Sequence, residues 1–142
     1  MLKMIAASFV AAGLFFVSPG QGSAAALVAH IDISSQTMTV TGGGQYHVWR
    51  VSTARSGYHT PRGSFRPQHL ARMHYSRKYD NSPMPYSVFF RGGYAIHGTG
   101  AIKRLGTPAS HGCVRLHPGN AATLYSMIRQ AGLGNTRIII SQ

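Results

Sequence analysis

The segment SHGCVRL at residues 110–116 contains the only cysteine of the chain, Cys113. A second segment rich in glycine, AIHGTG at residues 95–100, places His97 sixteen positions before that cysteine. A thiolate is a strong nucleophile, and a nearby imidazole can generate it. Positive neighbours lower the pKa of a thiol, and glycines leave backbone N–H groups free to face an oxyanion. The two segments therefore predict a cysteine–histidine site for acyl transfer, with a buried structural cysteine as the alternative.

Together the two segments resemble the signature of the YkuD-type L,D-transpeptidases, a family of bacterial cell-wall enzymes. That signature is a histidine followed by Gly or Ser and, further downstream, Ser/Thr-His-Gly-Cys-x-Arg/Asn. Other pieces match the family in the same order, namely IDISSQTMTV, VSTA, TPRGSF, MPY and RGGYAIHG. The resemblance covers nearly all of the chain after residue 27. It implies a mainly β fold: a YkuD-like β-sandwich with one helix in the C-terminal half and a long loop flanking the active site.

The resemblance also implies roles for individual residues. Cys113 is the expected nucleophile, His97 is the base that deprotonates it, and the Gly98 carbonyl orients the His97 ring, as a backbone acceptor can. The oxyanion hole is expected from the backbone N–H groups of Gly112, Cys113 and His111. The residues expected at the substrate-binding side of the cleft are Arg115, Ser110 and Tyr94. Of these, Arg115 would bind a carboxylate through its guanidinium, and Ser110 would also shape the turn.

The reaction implied is a two-step acyl transfer on peptidoglycan stem peptides, without a cofactor. The thiolate attacks the carbonyl of the third stem residue, the terminal D-alanine leaves, and an amine of a second stem resolves the thioester to form a crosslink. Water as the acceptor would instead make the protein an L,D-carboxypeptidase. Related enzymes use the same thioester to attach envelope proteins to peptidoglycan or to release them.

Two other functions compete with this hypothesis. A zinc site is the first, although the usual cysteine-pair spacing is absent; its candidate ligands are His97, His111, Cys113 and His117. The second is a basic module that binds the wall without catalysis, for which Cys113 would be dispensable.

The charge of the chain is strongly positive, with 14 Lys and Arg against two acids and a net charge of +12. The acids, Asp32 and Asp80, form no pair of the kind that glycosidases need and are expected at turns or strand ends. A basic surface attracts polyanions, which favours peptidoglycan stem peptides and anionic envelope polymers as partners. The family resemblance adds outer-membrane proteins to the expected partners. Nucleic acid is not expected, because the chain has features of an exported protein.

The export hypothesis rests on residues 1–26. Lys3 is followed by an apolar run from Met4 to Val17 that is too short for a membrane span, and small residues follow it. This pattern is typical of a signal peptide, so residues 27–142 form the expected catalytic domain and the expected location is the periplasm. A single cysteine in an oxidising compartment forms no internal disulfide, which favours a use for its thiol.

Alternating apolar residues and turn signals predict a β-rich domain with one late helix. The helix is expected from Pro118 to Gln130, ended by Gly132. A long loop, acting as a flap over the cleft, is expected from Gln68 to Tyr86, where periodicity is weak. The predicted strands are 27–33, 37–40, 46–52, 64–65, 86–90, 94–97 and 137–140.

Overall fold

A computed structural model describes residues 25–142, so the predicted signal peptide, residues 1–26, lies almost entirely outside the described part. Nine strands and one α-helix make up this part, together with two short 3-10 helices at Ile102–Arg104 and Leu133–Asn135. The elements are β1 (Leu27–Asp32), β2 (Thr37–Gly42), β3 (Gln45–Arg50), β4 (Gly63–Phe65), β5 (His69–Ser76), β6 (Ser82–Arg91), β7 (Tyr94–Gly98), β8 (Val114–Leu116), α1 (Pro118–Ala131) and β9 (Thr136–Ser141).

The strands form two sheets. The first has the order β3-β2-β1-β9-β4, in which β1, β2 and β3 are the predicted antiparallel meander and β9 lies parallel to β1. The second has the order β5-β6-β7-β8 and ends with a parallel pair, β7 and β8. A parallel pair requires a long crossover, and here the chain from Thr99 to Cys113 supplies it.

One apolar core joins the two sheets and α1. The first sheet contributes Ile31 and Ile138, the second contributes Ile96 and Val114, and α1 contributes Leu124. Because successive side chains of a strand point to opposite faces, this core takes only every second residue of β7 and β8. The other face of these strands points away from this core.

The helix α1 begins at Pro118, as the sequence predicts, and ends at Ala131, one residue beyond the predicted end. Pro118 occupies the first turn, where a missing N–H costs nothing. The His117 imidazole accepts a hydrogen bond from the Gly119 N–H at 3.0 Å and so caps the first turn. Gly132, with φ 94°, ends the helix in a conformation that favours glycine. No helix among residues 25–142 has both the length and the apolar character that crossing a membrane requires.

The prediction of a long loop from Gln68 to Tyr86 is wrong. This segment forms β5 and the first half of β6, which pair in an antiparallel hairpin with its turn at residues 77–81. Pro83 and Pro85 argue against a strand because they lack an N–H. They are tolerated here because β7 pairs only with the later half of β6, so among the described residues the edge of β6 opposite β5 has no partner strand at the two prolines. Weak alternation follows from the position of β5 at the sheet edge, where side chains on both faces meet solvent.

Candidate active site

The parallel register of β7 and β8 brings the two sequence segments together. Ile96 lies opposite Val114, and both side chains enter the core. The next pair, His97 opposite Arg115, points to the outer face of the sheet. Cys113 immediately precedes β8, and alternation places its side chain on the same outer face as Arg115. The outer face of this strand pair therefore holds the imidazole, the thiol and the guanidinium as near neighbours.

His97 is held as a neutral base. Its side chain is 7% exposed, and Nδ1 lies 2.7 Å from the Gly98 carbonyl oxygen. Because a carbonyl only accepts, Nδ1 carries the proton and the lone pair is on Nε2. Burial lowers the pKa of His97 to about 4, opposed by the Gly98 hydrogen bond and assisted by the positive charges of Arg115 and His74. At neutral pH the ring is therefore uncharged, with Nε2 able to accept a proton.

The thiol of Cys113 differs from the sequence expectation. Burial raises its pKa, and this effect outweighs the hydrogen bond from the Ala95 backbone and the charge of Arg115, which lower it. The expectation that positive neighbours lower the pKa of this thiol is therefore wrong for the net effect. The protonated thiol, 3.9 Å from the Gly93 carbonyl oxygen, is the resting form. Its proton must be transferred as the sulfur attacks, which makes a neutral base at His97 necessary.

A small apolar surface, the apolar floor of the site, packs against the thiol of Cys113. Cys113 packs against a small buried cluster on the outer face of the second sheet, separate from the main core, formed by Met84, Phe89 and Ala95. Phe89 also stacks on His69 with ring centroids 4.3 Å apart. This floor explains the burial that raises the thiol pKa, and it offers a surface over which the apolar parts of a substrate can lie.

The turn that presents Cys113 requires glycine at position 112. Gly112 has φ +138°, and a Cβ atom there would lie 2.6 Å from Cε1 of Tyr94 and 2.9 Å from the His59 carbonyl oxygen. Both distances are too short for any side chain. Tyr94, expected at the substrate-binding side, therefore packs directly against the cysteine turn.

The buried side chain of Ser110 stabilises this turn through two hydrogen bonds. Its side chain is 1% exposed, accepts a hydrogen bond from the Gly112 N–H at 3.0 Å and donates one to the Cys113 carbonyl at 2.6 Å. The hydroxyl is thus occupied within the turn, as expected for a residue that shapes it, and a contact with substrate stays a prediction. The bond also occupies the Gly112 N–H, which corrects the prediction that this group serves the oxyanion hole.

The Cys113 N–H is in a different situation. Among residues 25–142 it has no acceptor apart from any hydrogen bond within the paired strands. The pairing of β8 with β7 begins only at the next residue, Val114. The N–H of His111 has no acceptor in the same described part. Of the three N–H groups expected at the oxyanion hole, those of Cys113 and His111 thus keep a free proton.

The imidazole of His111 lies in a surface cluster that the sequence did not predict. It stacks on Tyr79 with ring centroids 4.0 Å apart and an interplanar angle of 9°, and it meets the Tyr58 ring edge-on at 4.8 Å. Arg55 lies 5.1 Å from the Tyr58 centroid, and Lys78 lies 5.5 Å from the Tyr79 centroid. We call these five residues the aromatic–cation cluster. Because they come from three separate segments, no spacing in the sequence could have indicated it.

The aromatic–cation cluster joins the hairpin turn to the cysteine turn. Desolvation lowers the pKa of His111, and the positive charges of Arg55, Arg115 and Lys78 lower it further. The hairpin thus flanks the active site, as expected for the flap, but as paired strands and not as a loop.

Arg115 keeps most of its hydrogen-bonding capacity. Its backbone pairs in both directions with Ser52, whereas its guanidinium makes one long hydrogen bond among the described residues, from Nη1 to the Ala109 carbonyl at 3.4 Å. Burial lowers its pKa, as do Arg55 and Arg104, although the group stays a cation at neutral pH. The remaining N–H donors are free for a carboxylate.

The four residues proposed as zinc ligands have other surroundings. His117 caps α1, and the ring of His111 stacks on Tyr79 and meets the edge of the Tyr58 ring. In residues 25–142, no group of three or more His, Cys, Asp or Glu side chains is arranged to hold a metal ion.

One further residue at the site had no predicted role. Thr60, in the TPRGSF segment, is 6% exposed and donates a hydrogen bond to the Gly112 carbonyl at 2.9 Å. The sequence signal was present, because this segment belongs to the resemblance, but spacing alone could not show that Thr60 reaches a turn 52 positions downstream.

Comparison with solved structures shows the same fold in L,D-transpeptidases. One from Mycobacterium tuberculosis H37Rv is 25% identical with a TM-score of 0.73, and one from Stackebrandtia nassauensis is 26% identical with a TM-score of 0.71. L,D-transpeptidase 3 from Mycobacterium tuberculosis, solved with a faropenem-derived adduct, is 24% identical with a TM-score of 0.70. Each alignment covers 82% of this chain but only 58%, 56% and 60% of the other chain, respectively.

A search of curated proteins gave no significant match. The profile of the YkuD family, described as the L,D-transpeptidase catalytic domain, matches residues 27–140. This range contains both segments of the site and every strand of the two sheets except the last residue of β9. The chain therefore belongs to the YkuD family of L,D-transpeptidase catalytic domains.

Proposed function

We propose that this protein is a periplasmic L,D-transpeptidase that crosslinks peptidoglycan between third-position stem residues through a thioester on Cys113. The observation that carries the proposal is the neutral His97 on the same outer face as the thiol, with Nδ1 bonded to the Gly98 carbonyl at 2.7 Å. This bond leaves the His97 lone pair on Nε2, the atom that must take the thiol proton.

The first half-reaction consumes the donor stem. His97 Nε2 takes the Cys113 proton while the sulfur attacks the carbonyl carbon of the third residue, and the carbonyl oxygen becomes negative. In this scheme the Cys113 N–H, for which no acceptor is found among residues 25–142 outside the strand pairing, stabilises that oxygen. Collapse of the resulting tetrahedral intermediate breaks the bond to D-alanine. The amine of the D-alanine takes the proton from His97, and a thioester on Cys113 remains.

The second half-reaction uses the acceptor stem. Its amine attacks the thioester and gives a proton to His97, and the sulfur leaves and recovers that proton. The product is an amide between two stems. Arg115, with free donors beside the thiol, binds a stem carboxylate in this scheme. Water or a protein amine as the acceptor would use the same first half-reaction and differ only in the product.

The periplasmic location is supported by the apolar run and small residues of positions 1–26. N-terminal sequencing of the protein recovered from cells checks it. An intact Met1 on cytoplasmic protein would contradict this part of the proposal without affecting the chemistry.

The catalytic proposal is tested by mass spectrometry with two substrates. A penem should add the mass of a covalent drug-derived adduct to the wild-type protein, and purified sacculi should yield stem dimers linked at the third residue. Faropenem is a suitable probe, because a family member has been solved with its adduct. Cys113→Ser should give neither product, because the serine hydroxyl is far less acidic.

The products separate the alternatives. Trimmed tripeptides without dimers would indicate a carboxypeptidase, and stems joined to a protein would indicate an attachment enzyme. A folded wild-type protein that binds sacculi but forms no penem adduct would favour the basic wall-binding module and contradict the proposal.

A further inference from the structure

The hydroxyl of Thr60 is fixed in one direction. Its Oγ1 accepts a hydrogen bond from the Ala54 N–H at 3.0 Å, and it donates to the Gly112 carbonyl oxygen at 2.9 Å. Thr60 is 6% exposed, so water does not compete for either bond. Because the hydroxyl oxygen accepts the hydrogen bond from Ala54, its own proton points to the Gly112 carbonyl oxygen. That carbonyl is therefore held toward Thr60.

Holding the Gly112 carbonyl also orients the Cys113 N–H. The two groups belong to one peptide unit, and the described residues contain no cis peptide bond. In a trans peptide the C=O and N–H point in opposite directions. The Cys113 N–H therefore points away from Thr60, where no acceptor among residues 25–142 takes it outside the strand ladders.

This orientation is not secured by the cysteine turn alone. Gly112 lacks a Cβ, so the chain at this position can adopt φ values that other residues avoid, and the peptide unit after it can rotate. Ser110 holds the carbonyl of Cys113, which belongs to the next peptide unit. Among the described residues, the Thr60 hydroxyl is the side chain that bonds the Gly112 carbonyl.

We propose that Thr60 is a positioning residue for acyl transfer, whose hydroxyl holds the Gly112–Cys113 peptide so that the Cys113 N–H faces the developing oxyanion. Without this bond the peptide can rotate and bring the Gly112 carbonyl oxygen toward the oxyanion, whose negative charge it would repel. The inference rests on the proposed function, since an oxyanion arises only if Cys113 attacks a carbonyl. Thr60 itself touches no reacting atom.

Two reactions of the same thiol separate this role from general support of the turn. Acylation by faropenem passes through an oxyanion, whereas alkylation by iodoacetamide displaces iodide and forms none. Thr60→Val should slow acylation by up to about 100-fold, the lower end of the effect of losing an oxyanion donor. Iodoacetamide should alkylate Thr60→Val at the wild-type rate.

Two variants serve as matched controls. Thr60→Ser keeps the hydroxyl and should restore acylation. Thr123→Val removes a hydroxyl that also donates to a carbonyl, that of Gly119 at 3.1 Å on α1, and should behave as wild type. If Thr60→Val does not fold, Thr60→Ala takes its place, because it leaves room for a water molecule to bond the freed Ala54 N–H.

An amide measurement tests the inference independently of activity. The ¹⁵N–¹H signal of Cys113 should shift or broaden in Thr60→Val and keep its wild-type position in Thr60→Ser. A wild-type protein that never forms a penem adduct would count against the proposed function, and an unchanged Cys113 signal in Thr60→Val would overturn the positioning role. Equal losses of acylation and alkylation, or no loss of acylation, would overturn it as well.

Discussion

The two histidines of the active-site region, His97 and His111, differ in burial and in the groups that hold their rings. On the β7 side, His97 is 7% exposed and its ring is fixed by the Gly98 carbonyl. On the hairpin side, His111 is partly exposed and its ring stacks flat on Tyr79 within the aromatic–cation cluster. The same residue type is thus a buried neutral base on one side and a stacking group on the other. Burial and hydrogen bonding, and not distance from the cysteine in sequence, distinguish the two.

The largest expected difference between the two sides is catalytic. His97→Gln removes the base that must take the thiol proton, and it should slow acylation by faropenem by about 10²–10⁴-fold. The matched variant His111→Gln should slow it far less, because that ring is occupied by stacking. Stopped-flow or mass-spectrometric acylation rates measure both, and equal losses in the two variants would contradict the assignment of the base to His97 alone.

A difference of intermediate size is expected in the dependence of stability on pH. The pKa of His97 is about 4 in the folded protein, against an ordinary value of 6.5. Between these values the unfolded chain binds more protons, so the full stabilisation is present above about pH 6.5 and is lost as the pH falls through 4. The loss amounts to about 3 kcal/mol in the free energy of unfolding.

Chemical denaturation at a series of pH values measures this effect. The difference between wild type and His97→Gln isolates the contribution of His97, since other groups titrate in both proteins. His111→Gln should change the pH dependence less than His97→Gln does, because the pKa of His111 is also lowered but its ring is only partly buried. Parallel stability curves for wild type and His97→Gln would show that His97 is not buried in its neutral form.

The smallest expected effect concerns the hairpin side. Tyr79→Ala removes the stack on His111 and should lower the free energy of unfolding by about 0.5–1.5 kcal/mol, the typical strength of an aromatic pair. Tyr46→Ala is the control, because Tyr46 is 68% exposed on β3 and belongs to none of the aromatic pairs. Urea denaturation compares the two, and an equal effect from both substitutions would mean that the cluster does not hold the hairpin turn.

Much of the fold could be predicted from local pattern. Alternation and turn residues gave the opening meander, and Pro118 and Gly132 marked the ends of the helix. The hairpin β5–β6 was missed because an edge strand shows weak alternation and because Pro83 and Pro85 are usually excluded from strands. The short β8 was missed because three residues carry too little pattern, and its existence depends on pairing with β7 and Ser52.

The sequence by itself determined the family and the pair His97 and Cys113, because a unique cysteine, glycine-flanked histidines and their spacing are all local features. Only the tertiary structure decided the protonation states and the donors. The raised thiol pKa comes from an apolar floor assembled from β6 and β7. Two hydrogen bonds, from the Gly112 N–H to Ser110 and from the Thr60 hydroxyl to the Gly112 carbonyl, also form only in the folded protein. Desolvation and hydrogen-bond direction arise only when distant segments meet, so no pattern along the chain can specify them.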